Sequence, residues 1–258
     1  MKRMKATKIA ALVAALMLAL GLMVGCSGDN SSDGEYKLIQ DGKLTVAASC
    51  DFPPFETLDG DTPTGYGIAV IQEVANRLGL ECEIKNTTFD TIVPAVAGGE
   101  QFDVGVSSIT IDPEREEQVD FSDPYYIADQ SIVVRAGSYA SVEELEGKTI
   151  AAQSGTTGYD YALENVSDDV VGYTEATACF AALQSGNCEA VAIDLPVSES
   201  MIAQAYPDCE ILERVATGEE YGIAINKDNT ALTEAINKIL AEMEEDGTLE
   251  KLEAEYLG

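Results

Sequence analysis

Hydrophobic and polar positions along most of the chain switch between two periods. Short apolar runs rich in β-branched residues mark strands at residues 43–49, 81–85, 103–106, 131–135, 149–152, 170–173, 190–193, 209–212 and 221–225. Helical spacing intervenes: Ile68, Ile71, Val74, Ala75 and Leu78 fall on one face, and Gly79 stands where a helix cap belongs. Further helices are expected at 90–97, after Pro113, over 157–165, near 176–185 and 196–205, and over 230–245, with a last one running to Tyr256. Ser141 and Glu144 have the spacing of a capping box. Strand and helix in steady alternation predict an α/β fold, with mostly parallel sheets flanked by helices. Ligands in such folds bind beyond the C-terminal ends of strands, where helix N-termini point.

The first residues follow another rule. Lys2, Arg3, Lys5 and Lys8 precede an apolar run of about 16 residues, Ile9 to Val24. A spanning helix needs about 20. The run ends in Met23-Val24-Gly25-Cys26, then turns polar at once. This reads as a signal peptide over 1–25, with Cys26 as the lipidated residue of a lipobox-like motif. Residues 26–36 are polar and Gly/Ser-rich, and read as a flexible tether. About 220 residues remain for the folded part, enough for one large or two small cores.

Composition narrows the chemistry. Cleavage after residue 25 removes four of the 15 basic residues and none of the 46 acidic ones, leaving a formal charge of −35. Such a surface repels nucleic acid and anionic headgroups. The chain has no histidine, which excludes Ser-His-Asp and Cys-His catalysis and leaves almost no material for a zinc site. Beyond Cys26 there are five cysteines, Cys50, Cys82, Cys179, Cys188 and Cys209, an odd number.

Four polar clusters follow predicted strands. They are Ser49 to Glu56; Ser107, Ser108 and Thr110 with Arg115 close behind; Ser154 to Thr157; and Asp194. Together they suit a zwitterion. Arg115 can grip a carboxylate through two parallel hydrogen bonds, as a lysine cannot. Thr156 and Thr157 fall at a helix start, where free amides assist an anion. Asp194 can pair with an ammonium group, and Phe52 and Phe89 can sandwich a side chain. Taken singly, each has an ordinary structural reading: a surface ion pair, a turn, a helix cap, a core aromatic. Their recurrence at strand ends argues for a site.

Longer motifs carry a resemblance. Asp51–Glu56 (DFPPFE), Phe89-Asp90, Ser107–Tyr126 (SSITIDPEREEQVDFSDPYY), Gln153–Thr157 (QSGTT), Ala190–Asp194 (AVAID), Tyr221–Ile225 (YGIAI) and the C-terminal DGTLEKLEAEYLG resemble the bacterial extracellular solute-binding proteins of amino-acid ABC transporters, family 3, over residues 43–258. The resemblance implies a type II periplasmic-binding fold. Lobe 1 would be residues 37–131 plus 219–258 and lobe 2 residues 132–218, joined by two crossover strands near 131–135 and beyond 206–215, with the ligand trapped between lobes. It implies that Arg115 holds the ligand α-carboxylate, helped by Ser108, Thr110 and Thr156 or Thr157. Asp194 would meet the α-ammonium, Phe52 and Phe89 would form the walls, and Ser49 and Ser107 would complete the pocket. The implied protein is a monomer, lipid-anchored on the outer side of the cell membrane. It would bind one free amino acid without cofactor or metal and dock on permease subunits.

Two departures bear on the side chain of that amino acid. Many family members carry acids at the positions of Ser49 and Gly67, and these often meet a cationic side chain. Their absence here argues for a polar uncharged or acidic amino acid, although Asp51 stands close to Ser49 in the chain. Cys82 matches half of a disulfide found in some members, but the partner position is Ala75. Cys188 and Cys209, each before a lobe 2 strand, form one candidate pair. The alternative function is an exported dehydratase of the same fold, acting on prephenate- or arogenate-like acids, with Asp51 and Asp194 as candidate general acids. A receptor-kinase sensor would need a membrane span after Gly258, and none is expected.

Overall fold

The computed structural model describes residues 36–258. The leader, Cys26 and nearly all of the tether lie outside the described residues. The strands are β1 Lys43–Ala48, β2 Thr57–Asp59, β3 Thr62–Thr64, β4 Glu81–Asn86, β5 Val104–Thr110, β6 Asp120–Phe121, β7 Tyr126–Arg135, β8 Ile150–Gln153, β9 Val170–Tyr173, β10 Ala190–Asp194 and β11 Cys209–Ile225. The helices are α1 Tyr66–Leu78, α2 Phe89–Gly98, α3 Pro113–Glu116, α4 Thr157–Asn165, α5 Ala176–Ser185, α6 Leu195–Gln204, α7 Thr230–Glu245 and α8 Thr248–Tyr256.

Nine strands join in the order β4-β1-β5-β11-β7-β10-β8-β9, with β6 paired to β11 off this path. The pairs β1/β4, β1/β5, β8/β9 and β8/β10 are parallel, as expected of strands connected through helices. The two long antiparallel strands β7 and β11 link the halves. The C-terminal end of β11 pairs with β5, whereas β10 pairs with Gln130–Val134 of β7. The boundaries expected at 131 and 219 therefore fall inside these two shared strands.

One apolar cluster runs through both halves, joining Val46, Val74 and Ile236 to Val133, Phe180 and Val191. Helix α1 buries Ile68, Ile71, Val74 and Ala75 and ends at Gly79 (φ 74°), whose left-handed backbone returns its N–H to the last turn. Helix α7 buries Leu232, Ile236, Leu240 and Met243. In the other half Ile132, Val134, Leu145, Ile150, Ala152 and Ala162 pack together.

Three expectations change. The segments 209–212 and 221–225 are one 17-residue strand. Its polar middle shows no strand alternation because those residues lie exposed along the linking strand, with register shifts against β7. Second, Ser107 to Thr110 do not follow β5 but lie within it, every residue buried, because Tyr221 and Gly222 of β11 pair with Thr110 and Ile109. Third, residues 142–145 form a single 3-10 turn, and Ser141 makes no side-chain capping bond. The β2–β3 hairpin was not expected from the sequence.

All five described cysteines are free. Cys209 lies opposite Arg135 on one edge of β7, while Cys188 precedes the strand that pairs along the other edge. The candidate pair thus approaches β7 from opposite edges, and no bridge joins it.

Candidate functional site

The site is built where the ends of β1 and β5, with residues of α2 and α3, face the ends of β8 and β10 and the start of α4. Ser49, Phe52, Phe89, Ser107, Ser108, Thr110, Arg115, Thr156, Thr157 and Asp194 line a single cavity, together with Asp51 and Gln153. All ten residues expected from the sequence are therefore neighbours. In this closed arrangement the cavity is about 10 Å³, room for about one water.

Arg115 is placed by a short helical turn. Pro113 occupies the first position, where its missing N–H costs nothing, and Asp112 Oδ1 accepts from the amides of Glu114 and Arg115 at 2.9 Å each. Arg115 Nε is 3.0 Å from Asp112 Oδ2. Its Nη1 donates to the carbonyl of Thr110 (2.7 Å) and its Nη2 to the carbonyl of Gly155 (3.0 Å). The guanidinium carbon lies 5.6 Å from the Phe89 ring centroid, a cation–π distance. Burial lowers the pKa of Arg115, and the carboxylates of Asp112 and Glu219 oppose that shift; a guanidinium stays charged regardless.

The hydroxyls around it are already engaged. Glu219 Oε2 accepts from Thr110 Oγ1 (2.7 Å) and from Thr157 Oγ1 (2.6 Å). This hinge-strand carboxylate thus clasps one hydroxyl from each half. Thr156 caps α4, its Oγ1 accepting from the Tyr159 amide at 3.1 Å.

Asp194 ends β10 at the start of α6 and is only 6% exposed. Gln130 Nε2 donates to its Oδ1 at 2.7 Å, and the Tyr221 hydroxyl donates to its Oδ2. Burial pushes its pKa up to about 7, with the charge of Glu219 adding to the rise. A cationic group at this carboxylate would restore its charged form.

Asp51 is the residue the sequence argument undervalued. Its Oδ1 accepts from Ser49 Oγ at 2.6 Å. Its Oδ2 reaches across the cleft to the Ala176 amide (2.6 Å), the free first N–H of α5, and to Gln153 Nε2 (3.3 Å). Signals for Asp51 and Gln153 existed in the clusters DFPPFE and QSGTT. Gln130, Glu219 and Tyr221, which position the outer groups, lie on the two linking strands; Tyr221 opens the motif YGIAI, whereas Gln130 and Glu219 carry no local signal.

A buried acid crowds position 67. Glu56 is fully buried, and its Oε2 accepts from Ser108 Oγ at 2.9 Å. A Cβ on Gly67 would lie 2.0 Å from Glu56 Oε1. The carboxyl of Glu56 fills the volume in which a side chain at 67 would begin.

A strand floor, a buried guanidinium, a buried acid and a helix start thus face one cavity between two linked lobes. Residues 44–258 match the bacterial extracellular solute-binding proteins, family 3, and the chain belongs to that family. It is 32% identical over 260 residues to the arginine-binding extracellular protein ArtP of Bacillus subtilis, covering 95% of each chain. It is 27% identical to the L-cystine-binding protein TcyJ of Escherichia coli, covering 94% of this chain and 93% of the relative. Among solved structures, an ancestral arginine-binding protein bound to arginine superimposes with a TM-score of 0.80 at 36% identity, covering 84% of this chain and 99% of the other.

Proposed function

We propose that the protein is the extracytoplasmic receptor of an amino-acid ABC importer, which closes its two lobes, 37–131 with 219–258 and 132–218, around one free amino acid. The observation that carries this reading is the convergence of Arg115 and Asp194 on one cavity, a cation and an acid for the two ends of an amino acid. Arg115 takes the α-carboxylate, with Ser108, Thr110, Thr156 and Thr157 as hydrogen-bond partners. Asp194 takes the α-ammonium. Phe52 and Phe89 flank the side chain, and Ser49 and Ser107 complete the floor.

A cavity with room for one water does not admit an amino acid, so ligand enters with the lobes apart. In the closed form it replaces contacts that the site makes with itself, such as those of Glu219 with Thr110 and Thr157. Relatives named as binding proteins support reception over chemistry. The competing dehydratase reading has buried carboxyls to offer, and it requires turnover of prephenate or arogenate; none is expected.

A thermal-shift screen of the common amino acids tests the reading, because a ligand that binds only the native state raises the melting temperature. At least one amino acid should raise it; a flat response across the whole screen would sink the proposal. Retention at the membrane by an acylated Cys26, and docking on permease subunits as a monomer, belong to the same proposal. Cys26→Ala should release the protein from the membrane, and membrane retention of that variant would remove the lipid anchor from it.

A further inference from the structure

We propose that Glu56 is a positioning residue of the binding floor: from outside the cavity lining, its carboxyl holds Ser108 in a left-handed turn and so sets how the β5 hydroxyls face the cleft. This inference rests on the reading of the cleft as an amino-acid site and adds to it a residue that acts only through another.

The floor strand is not a plain ladder. Thr110 and Ile109 of β5 pair with Tyr221 and Gly222 of β11, and Gly105 and Val104 pair with Ala224 and Ile225. Val106, Ser107 and Ser108 therefore stand opposite Ile223 alone, which makes a bulge in β5. A bulge re-aims the side chains it carries. Ser107 turns its hydroxyl to the end of β1, where it accepts from the Ser49 amide at 3.1 Å. Ser108 takes φ 49°, the one positive φ outside glycine among the described residues. Such a conformation is unfavourable for a residue with a Cβ and persists only where the surroundings hold it. Ser49, Ser107 and Ser108 all line the cavity.

Glu56 supplies the hold. It lies just before β2 and is fully buried. Its Oε2 accepts from Ser108 Oγ at 2.9 Å. Burial raises the Glu56 pKa to about 8, and the hydroxyl and main-chain N–H of Ser108 both pull it back, so both donors of the turn bear on this one carboxyl. The main chain of Glu56 is fixed as well. Its carbonyl accepts from the Phe52 amide at 2.8 Å, and its amide donates to the Phe52 carbonyl at 3.0 Å. Phe52 lines the same cavity. One residue outside the lining thus joins the Phe52 wall to the Ser108 floor. Without the carboxyl, Ser108 would have two buried donors to satisfy and an unfavourable φ to keep, and relaxation of either shifts the floor.

The test uses the full chain, with an equimolar mixture of the common L-amino acids as probe. The readout is the mixture concentration that gives half the maximal thermal shift. Glu56→Leu removes the acceptor and should raise that concentration at least about tenfold. Glu56→Gln returns an oxygen to Ser108 and should recover most of the loss. In a Ser108→Gly background the residue takes a positive φ freely and has no hydroxyl, so Glu56→Leu should change the readout by less than about threefold. A residue that only fills space would cost the same factor in both backgrounds. Equal losses in the two backgrounds therefore overturn the inference, as does a Glu56→Gln variant that binds no better than Glu56→Leu. If Glu56→Leu does not fold alone, rescue of its folding and binding by Ser108→Gly supports the inference, and failure of that double variant overturns it. A wild-type protein that gives no shift with the mixture sinks the amino-acid reading itself, whereas equal losses beside a normal wild-type response remove only the role of Glu56.

Discussion

The two lobes present the site by different physical means. Lobe 1 offers side chains on a paired, buried strand: Ser107, Ser108 and Thr110 are 2%, 5% and 7% exposed within β5. Lobe 2 offers the starts of helices: Thr156 and Thr157 at α4, Ala176 at α5, and Asp194 before α6. A strand fixes its hydroxyls through the sheet ladder whether or not the cleft is occupied. A helix start offers unpaired amides and the positive end of its dipole, and their effect grows as water leaves. Lobe 1 is accordingly the preformed reader, and lobe 2 the side whose contribution depends on closure.

That contrast breaks most visibly at Arg115. Arg115→Ala removes the guanidinium that lines the cavity. Truncating one partner of a buried charged pair costs about 2–5 kcal/mol, so affinity for every amino acid should fall by roughly 30-fold or more in calorimetry. Near-normal binding by this variant would mean that lobe 1 does not anchor the carboxylate.

Asp51 should come next, because it ties the reader to a helix start. Asp51→Asn weakens a charge-assisted bond to the Ala176 amide, a class worth about 1.5–3 kcal/mol. Dissociation should accelerate roughly tenfold or more in stopped-flow, while association changes little. An unchanged off-rate would deny the cross-lobe bond any role in closure.

A pH titration sharpens the contrast further. The pKa of Asp194 rises on folding from the ordinary 3.8 to about 7, and that of Glu56 from 4.5 to about 8. The folded state thus binds these protons more tightly than the unfolded chain. The associated stability is full below the unfolded values and is lost as pH climbs through the folded ones. The melting temperature of the free protein should fall between about pH 5 and pH 8, and the fall should be shallower in Asp194→Asn. Amino-acid affinity should move the other way, strengthening as Asp194 ionises through about pH 7. A melting temperature independent of pH over that window would contradict the burial of these acids.

The smallest effect is expected at the α4 cap. Thr156→Ala loses the bond to the Tyr159 amide, about 0.5–2 kcal/mol, and should lower the melting temperature by a few degrees. An unaltered melting temperature would show that the cap is replaceable by water.

Much of the binding face was legible in the sequence because it lies in local motifs. DFPPFE, the Ser107–Arg115 stretch, QSGTT and Asp194 each sit at a strand or helix end, and alternation alone locates those ends. What was not legible depends on pairing across the chain. The polar stretch of β11 looks like a loop until it lies against β7. Glu56 looks like the end of a turn until the fold sets it against Gly67, eleven positions onward. Gln130 escapes notice because it acts on Asp194 from a linking strand, outside any local motif.

Two bonds run from one half to the other, Arg115 to the Gly155 carbonyl and Asp51 to the Ala176 amide, and in both the second half contributes only main-chain atoms. A main-chain amide is present whatever side chain its residue carries. Drift in sequence at position 176 therefore leaves that donor in place, whereas loss of the Asp51 carboxylate or the Arg115 guanidinium removes its bond outright.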